Sequence, residues 1–453
     1  MVFTRRVAAL TLLFAAASWA LEREPLDAYR QRRQALAARH ADGVVLLFAY
    51  AEQEGQFTRS PFRQENNFYY LSGWNEPGAV LCLLGKGQAG PYREVLFVPG
   101  RDPSHEAWTG RRLGPDDPQA ADETGFSEVR DLQELPQVVS AALEGRPRVY
   151  TLLRRDPPGY EQPPEPDRGA RLEQLAPRYP KVNIRESLDS MRRIKTENEV
   201  RLLRKAAAAS VAAHHAAWTR IAPGVYEYQI AATMLGVMMD LGCLRAAYTP
   251  IIGSGGNSTV LHYSRATRRL HSGDLVVIDV GGEYSHYAAD ITRTVPVNGS
   301  FTPRQREIYE IVLGAQRAAL DAVRPGMLLG GHGDKSLAEI VRAYFNSHGS
   351  DSGGQPLGRY FSHGLGHHVG LEVHDPGDAG EPLQPGMVVT IEPGLYLPQE
   401  DLGVRIEDMV LITEGGAEVL SKDLPKEPDE IERLMQTEPR ASSSGDRGFL
   451  DSR

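Results

Sequence analysis

The sequence predicts two domains, an α/β domain followed by an α+β domain, and three observations carry that prediction. The chain has 453 residues, more than a single hydrophobic core usually serves. Up to about residue 187, short apolar runs alternate with helical patterns, which is how an α/β unit reads. From Asp189 the chain turns strongly helical, and apolar runs between its helices carry acidic residues that do not belong in such company.

The composition is that of an ordinary soluble globular protein. A net charge of −9 and the lack of a Lys/Arg run argue against a nucleic-acid partner. Cys82 and Cys243 lie far apart among apolar residues. Two buried free thiols are expected, with neither a disulfide framework nor zinc-knuckle spacing.

Residues 1–20 read as an export signal. Arg5-Arg6 gives a basic start, Val7 to Ala17 is almost wholly apolar, and Ser18-Trp19-Ala20 puts small residues where a signal peptidase reads. The segment is short for a membrane span. The mature protein is therefore expected in the periplasm or outside the cell, free of the membrane; a mis-assigned start would leave it in the cytoplasm. The first domain is expected over 21–187. Leu21 to His40 predicts an amphipathic helix. Val44 to Phe48, Asn67 to Leu71, Ala79 to Leu84, Glu94 to Val98 and Val149 to Leu153 predict strands. Pro103 to Glu144 is more helical, and proline-rich Arg154 to Asp167 predicts an exposed loop.

The second domain is expected over 188–435. Its first helix carries Thr196 and Glu199 at capping-box spacing, and His214 and His215 as structural or surface residues. Further helices are predicted from Glu227 to Asp240, from the Thr302-Pro303 start to about Val323, and from Lys335 to His348. Gly253 to Ser258 predicts a turn leading into a strand, Thr259 to Tyr263, that holds His262. The polar tail, 436–453, is expected to be disordered.

The chemistry is concentrated in four segments. Leu275 to Ile278 reads as a buried strand that delivers Asp279; Gly281-Gly282 is a turn signal, and a second run delivers Asp290. A hairpin there would bring both carboxylates together. Val388 to Ile391 runs into Glu392. Gly403 to Leu411 predicts one strand, with Arg405 and Glu407 on the same face. Ser362 to Asp375 holds four of the 13 histidines, His363, His367, His368 and His374, and His367 is the best-placed imidazole ligand. An ionised carboxylate buried without a partner is very costly, so four of them predict bound cations. Two divalent ions would neutralise them, and oxygen-rich ligation with one histidine suits Mn²⁺, Fe²⁺ or Co²⁺ better than Zn²⁺. Two ions ~3.5–4 Å apart are equipment for metal-assisted hydrolysis. No G-x-S-x-G elbow and no P-loop lysine is present, which disfavours serine hydrolysis and phosphate chemistry.

The segments LHY from Leu261, IDVGGEY from Ile278, DITRT from Asp290, HGLGHHVGLEVHD from His363, IEPGLY from Ile391 and RIED from Arg405 resemble, in this order, the motifs of the pita-bread metallopeptidases. That family includes aminopeptidase P, prolidase and methionine aminopeptidase. FRQENNFYYLSGWNEPGAVL from Phe62 resembles the N-terminal domain of aminopeptidase P. The resemblance implies a pita-bread catalytic domain, a curved antiparallel sheet backed by helices with the metals on its concave face. It implies Asp279, Asp290, His367, Glu392 and Glu407 as ligands of two metals, commonly manganese, with Asp290 and Glu407 bridging. It implies that His262, His363 and His374 position the substrate, that Glu392 can take a proton from water, and that Arg405 orients neighbouring carboxylates. The expected activity is release of the first residue from peptides with proline second. Prolidase is the alternative. A creatinase-like hydrolase or a non-catalytic peptide-binding protein fits the intact ligand set poorly. A homo-oligomer, dimer or tetramer, is also implied. His368 departs from the pattern, since many relatives carry an aromatic or apolar residue there, and it is given no role.

Overall fold

The computed structural model describes residues 22–52, 61–87, 90–154 and 168–437. The expected export signal, most of the proline-rich loop and nearly all of the tail lie outside the described residues.

The first domain is built on a six-stranded mixed sheet in the order β4-β3-β2-β1-β5-β6. Its strands are β1 (Val44–Phe48), β2 (Val80–Leu84), β3 (Arg93–Val98), β4 (Val129–Asp131), β5 (Val149–Thr151) and β6 (Lys181–Asn183). β1 to β3 form an antiparallel meander, and the outer pairings are parallel. Alternation sorts the side chains of β1: Val45 and Leu47 join the main core, while Val44, Leu46 and Phe48 join a smaller one beneath helix Leu135–Leu143. Cys82 is buried in that smaller core and both cysteines are free. The helical stretch after Pro103 resolves into three helices, Pro103–Thr109, Ala120–Thr124 and Leu135–Leu143.

Asn67 to Leu71 is not a strand. It forms helix Asn66–Ser72, because the Glu65 carboxylate accepts the Phe68 N–H at 2.7 Å and Gly73 closes the helix in the left-handed region. Phe68, Tyr69 and Tyr70 suggested a strand by their composition, but the caps decide. The first helix spans Leu26–Arg39.

The second half starts with helix Arg185–Arg193, which breaks at Ile194 so that Thr196 can cap helix Glu197–Arg220 with a full capping box. Its strands fall into four short antiparallel sheets. β7 (Arg245–Ala246), β10 (Gly282–Tyr284) and β11 (Tyr287–Ala288) form one; β8 (Ile251–Ser254), β9 (Leu275–Asp279) and β12 (Thr292–Pro296) form the second. β13 (Val388–Ile391), β16 (Asp408–Thr413) and β17 (Gly416–Val419) form the third; β14 (Gly394–Leu397) pairs with β15 (Leu402–Arg405). Helices Glu197–Arg220 and Glu227–Asp240 pack together behind the first two sheets, and Pro303–Ala322 with Leu337–His348 behind the others. A bridge between Thr292 and Glu407 ties the sheets across the middle, and one between His368 and Val389 ties the histidine segment to β13. There the charged residues collect. No helix among the described residues is long and apolar enough to cross a membrane.

Two further expectations fail locally. Thr259 to Tyr263 is not a strand: Gly255–Thr259 is a 3₁₀ turn closed by the Ser258 hydroxyl on Gly255 O, and irregular chain follows. Gly403 to Leu411 is not one strand. It breaks at Ile406-Glu407, where Gln316 donates to Ile406 O and the Arg293 guanidinium donates to Glu407 O.

Candidate metal centre

β9 and β12 are buried throughout and pair with Asp279 opposite Thr292, which sets Asp290 just ahead of the ladder. The hairpin between the aspartates exists, but its turn is not at Gly281-Gly282. The chain reverses at Ser285-His286, both at positive φ, between the paired residues Tyr284 and Tyr287. Gly281 serves close packing instead, since a Cβ there would lie 1.8 Å from Ala289 O. Only glycine lets the two arms approach where the aspartates leave them. Behind this crossing, the buried His214 ring donates toward both Val280 O and Ile291 O at 3.2 Å. Burial, with the Arg293 charge adding, pushes His214 down to about 3, so it is a neutral structural clamp.

Asp290, His367 and Glu407 converge, each offering a ligand atom within 4.8 Å of the others. His367 Nδ1 donates to His368 O at 3.1 Å, which leaves Nε2 facing Asp290 Oδ2 at 3.3 Å and Glu392 Oε1 at 3.7 Å. Thr390 Oγ1 accepts the His367 N–H at 3.0 Å, so β13 fixes that loop just before it delivers Glu392. Glu407 accepts from Thr292 Oγ1 at 2.7 Å. Asp279 lies outside the converging trio. Its carboxylate accepts from Tyr248 OH at 2.5 Å and from Arg405 Nη2 at 2.6 Å.

Arg405 also donates to Tyr396 OH at 2.9 Å, and Tyr396 OH lies 2.8 Å from His363 Nε2. His363 Nδ1 donates to Gly364 O, so its Nε2 accepts from the tyrosine. The exposed His374 ring packs on His367 with centroids 3.9 Å apart. His262 is exposed.

Electrostatics show what the site lacks. Burial, reinforced by neighbouring acids, raises Asp290 and drives Glu407 well above its ordinary value. Burial lifts Glu392 to about 7 against the pull of His367 and Arg405. His367 moves the other way from a buried imidazole: desolvation opposes its charge, but Asp290 and Glu392 win and raise it to about 9. Burial and Arg405 hold His363 at about 4, hence neutral. Four carboxylates thus face one guanidinium and one imidazole. Divalent cations fit this set: they would replace the missing positive charge and find oxygen donors with one nitrogen.

Tyr248 and Thr292 had no sequence signal as contacts of the candidate ligands, nor Tyr396 as the link between Arg405 and His363, although Thr292 and Tyr396 lie inside quoted motifs. His368 is buried, and burial holds it at about 4; its ring fills the space beside Gly377. His215 packs edge-on against Trp218 and stays outside the site.

Fold and donor set together are those of a metal-dependent hydrolase, and comparison with known proteins narrows the class. Residues 201–414 match metallopeptidase family M24, and residues 29–150 match the aminopeptidase P N-terminal domain. The chain is 36% identical to Xaa-Pro aminopeptidase of Escherichia coli, covering 90% of this chain and 97% of the relative. It is 34% identical to that of Haemophilus influenzae, at 91% and 97%. An Xaa-Pro dipeptidase of Pyrococcus furiosus is 43% identical, but over only 53% of this chain and 66% of the relative. A solved structure of zinc-substituted Escherichia coli aminopeptidase P in complex with product superposes with a TM-score of 0.80 at 32% identity, covering 92% of this chain and 99% of that one. The chain belongs to the aminopeptidase P family of M24 metallopeptidases.

Proposed function

We propose that this protein is an Xaa-Pro aminopeptidase that hydrolyses the bond between the first residue and a proline in second position. The observation that carries the reading is the convergence of Asp290, His367 and Glu407 on a scaffold whose relatives match along both halves of the chain. Prolidase is disfavoured because the dipeptidase likeness covers little more than half of this chain, whereas the Xaa-Pro aminopeptidase likeness extends through both halves.

Asp279, Asp290, His367, Glu392 and Glu407 would hold two divalent ions. We propose manganese, because the set is oxygen-rich with one imidazole. Bound ions supply Lewis-acid polarisation of a carbonyl and activation of water near neutral pH. The chain's own residues do the rest. Glu392, beside His367 Nε2, is the carboxylate placed to accept a proton from water. Arg405 fixes Asp279 and, through Tyr396, orients His363. His363, held neutral between Gly364 O and Tyr396 OH, lines the approach with His262 and His374. Proline nitrogen carries no N–H, so the site must recognise a tertiary amide.

The basic start, apolar run and small residues before Leu21 support export, and the family resemblance supports a dimer or tetramer. N-terminal sequencing of the secreted protein and light scattering test these two points. The activity is tested by offering Mn²⁺-loaded protein a tripeptide Xaa-Pro-Yaa and the dipeptide Xaa-Pro side by side. Release of Xaa from the tripeptide, with the dipeptide slow, is expected. Cleavage of the dipeptide alone would make it a prolidase.

A further inference from the structure

Glu227 is a buried acid, outside the metal centre, that the sequence does not explain. It opens helix Glu227–Asp240, a position where a glutamate ordinarily points to water and favours the helix dipole. Here it is 0% exposed. Burying a carboxylate costs several kcal/mol unless its lone pairs are filled, and these are. One oxygen accepts from Ser254 N at 2.9 Å, Ser254 Oγ at 2.7 Å and Asn257 Nδ2 at 3.1 Å. The other accepts from Tyr263 OH and Arg268 N, both at 2.9 Å. All five donors belong to one stretch, 254–268, and His262 lies between two of them.

The rest of that stretch has no strand pairing to hold it. Glu227 N donates to Arg268 O at 3.0 Å, and Tyr228 N donates to Ala266 O at 2.9 Å, pinning Ala266 at φ 49°. On the other side, Gly403 N donates to Ser258 Oγ at 2.8 Å, two residues before Arg405. The loop is therefore clasped between the helix start and the strand that feeds the metal centre. Its exposed product is His262.

We propose that Glu227 is a positioning residue for the peptidase reaction: its carboxylate templates the 254–268 loop and so sets His262 at the mouth of the site. The proposal rests on the reading of His262 as a substrate-positioning group. Glutamine cannot replace the carboxylate. Both oxygens face backbone N–H donors, so whichever way an amide turned, its NH₂ would oppose one.

A double-mutant cycle on the metal-loaded enzyme tests this. Glu227→Gln is expected to lower kcat/KM for Xaa-Pro-Yaa about tenfold and to lower Tm, with bound metal close to the parent. In a His262→Ala background the same change is expected to cost less than twofold. Tyr263→Phe, which deletes one donor and carries little risk to folding, should give a smaller loss that also vanishes without His262. Additive losses, unchanged turnover in Glu227→Gln, or lost metal would overturn the proposal. A harmless His262→Ala would overturn the role of His262 itself, and an inactive parent enzyme the reading of the site.

Discussion

Replacing Asp290 or Glu407 by alanine is predicted to abolish peptide hydrolysis and to lower metal content, since each removes one member of the converging trio. Metal analysis on the purified variants checks the second half independently of turnover. His214→Ala is a different case. The sequence marks His214 as a structural or surface helix residue; it is structural, and it clamps the backbone beside both aspartates. Losing that buried ring removes its hydrogen bonds to Val280 O and Ile291 O and leaves a cavity. A destabilisation of roughly 2–4 kcal/mol is expected by denaturant melts. Acidic residues in or beside apolar runs made the candidate ligands legible, because buried charge is the one pattern a core does not tolerate by chance. Tyr248 was not legible. A tyrosine just before Thr249-Pro250 looks like any loop residue until the fold carries its hydroxyl to Asp279.

At the scale of elements, the arms around Gly281 decide how Asp279 and Asp290 meet. Gly281→Ala puts a methyl into Ala289 O and must spread the arms. A stability loss of about 3 kcal/mol, together with weaker metal binding, is predicted. Isothermal titration with Mn²⁺ reads the second effect. The sequence located this hairpin but set its turn at the glycines, since Gly-Gly is a common turn signal. Ser285-His286 turns instead, and the His286 ring is stacked on Tyr69 with centroids 3.7 Å apart, so tertiary contact holds a conformation that composition disfavours. Asn66–Ser72 departs from its strand reading for the opposite reason: its local caps outweigh its aromatic, strand-like content.

At the scale of the molecule, buried charge pairs stitch segments that are distant in sequence. Arg192 and Lys195 both hold Asp375, the residue after His374, while Arg192 also donates to Asn67 of the first domain. Under the metal centre, Arg293 and Lys426 hold Asp408. Burial alone would raise Asp408, but these two cations win and bring it from 3.8 to about 2. A lowered folded-state pKa contributes stability above the unfolded value and loses it as pH falls through the folded one. Asp408 should therefore contribute about 2 kcal/mol near neutrality that disappears between pH ~4 and ~2. Arg293→Leu should destabilise by about 3 kcal/mol at pH 7 and flatten that acid limb, as followed by urea melts across pH. Pairings such as Arg293 with Asp408 join residues more than a hundred positions apart, which no local pattern in the chain announces.

The measurement that tests the account most directly strips the protein of metal and titrates Mn²⁺ back, following bound metal and release of the first residue from Xaa-Pro-Yaa together. No release without metal, and turnover that rises until two ions are bound per chain, is the predicted result. Cleavage by the metal-free protein, or none at full loading, would contradict it.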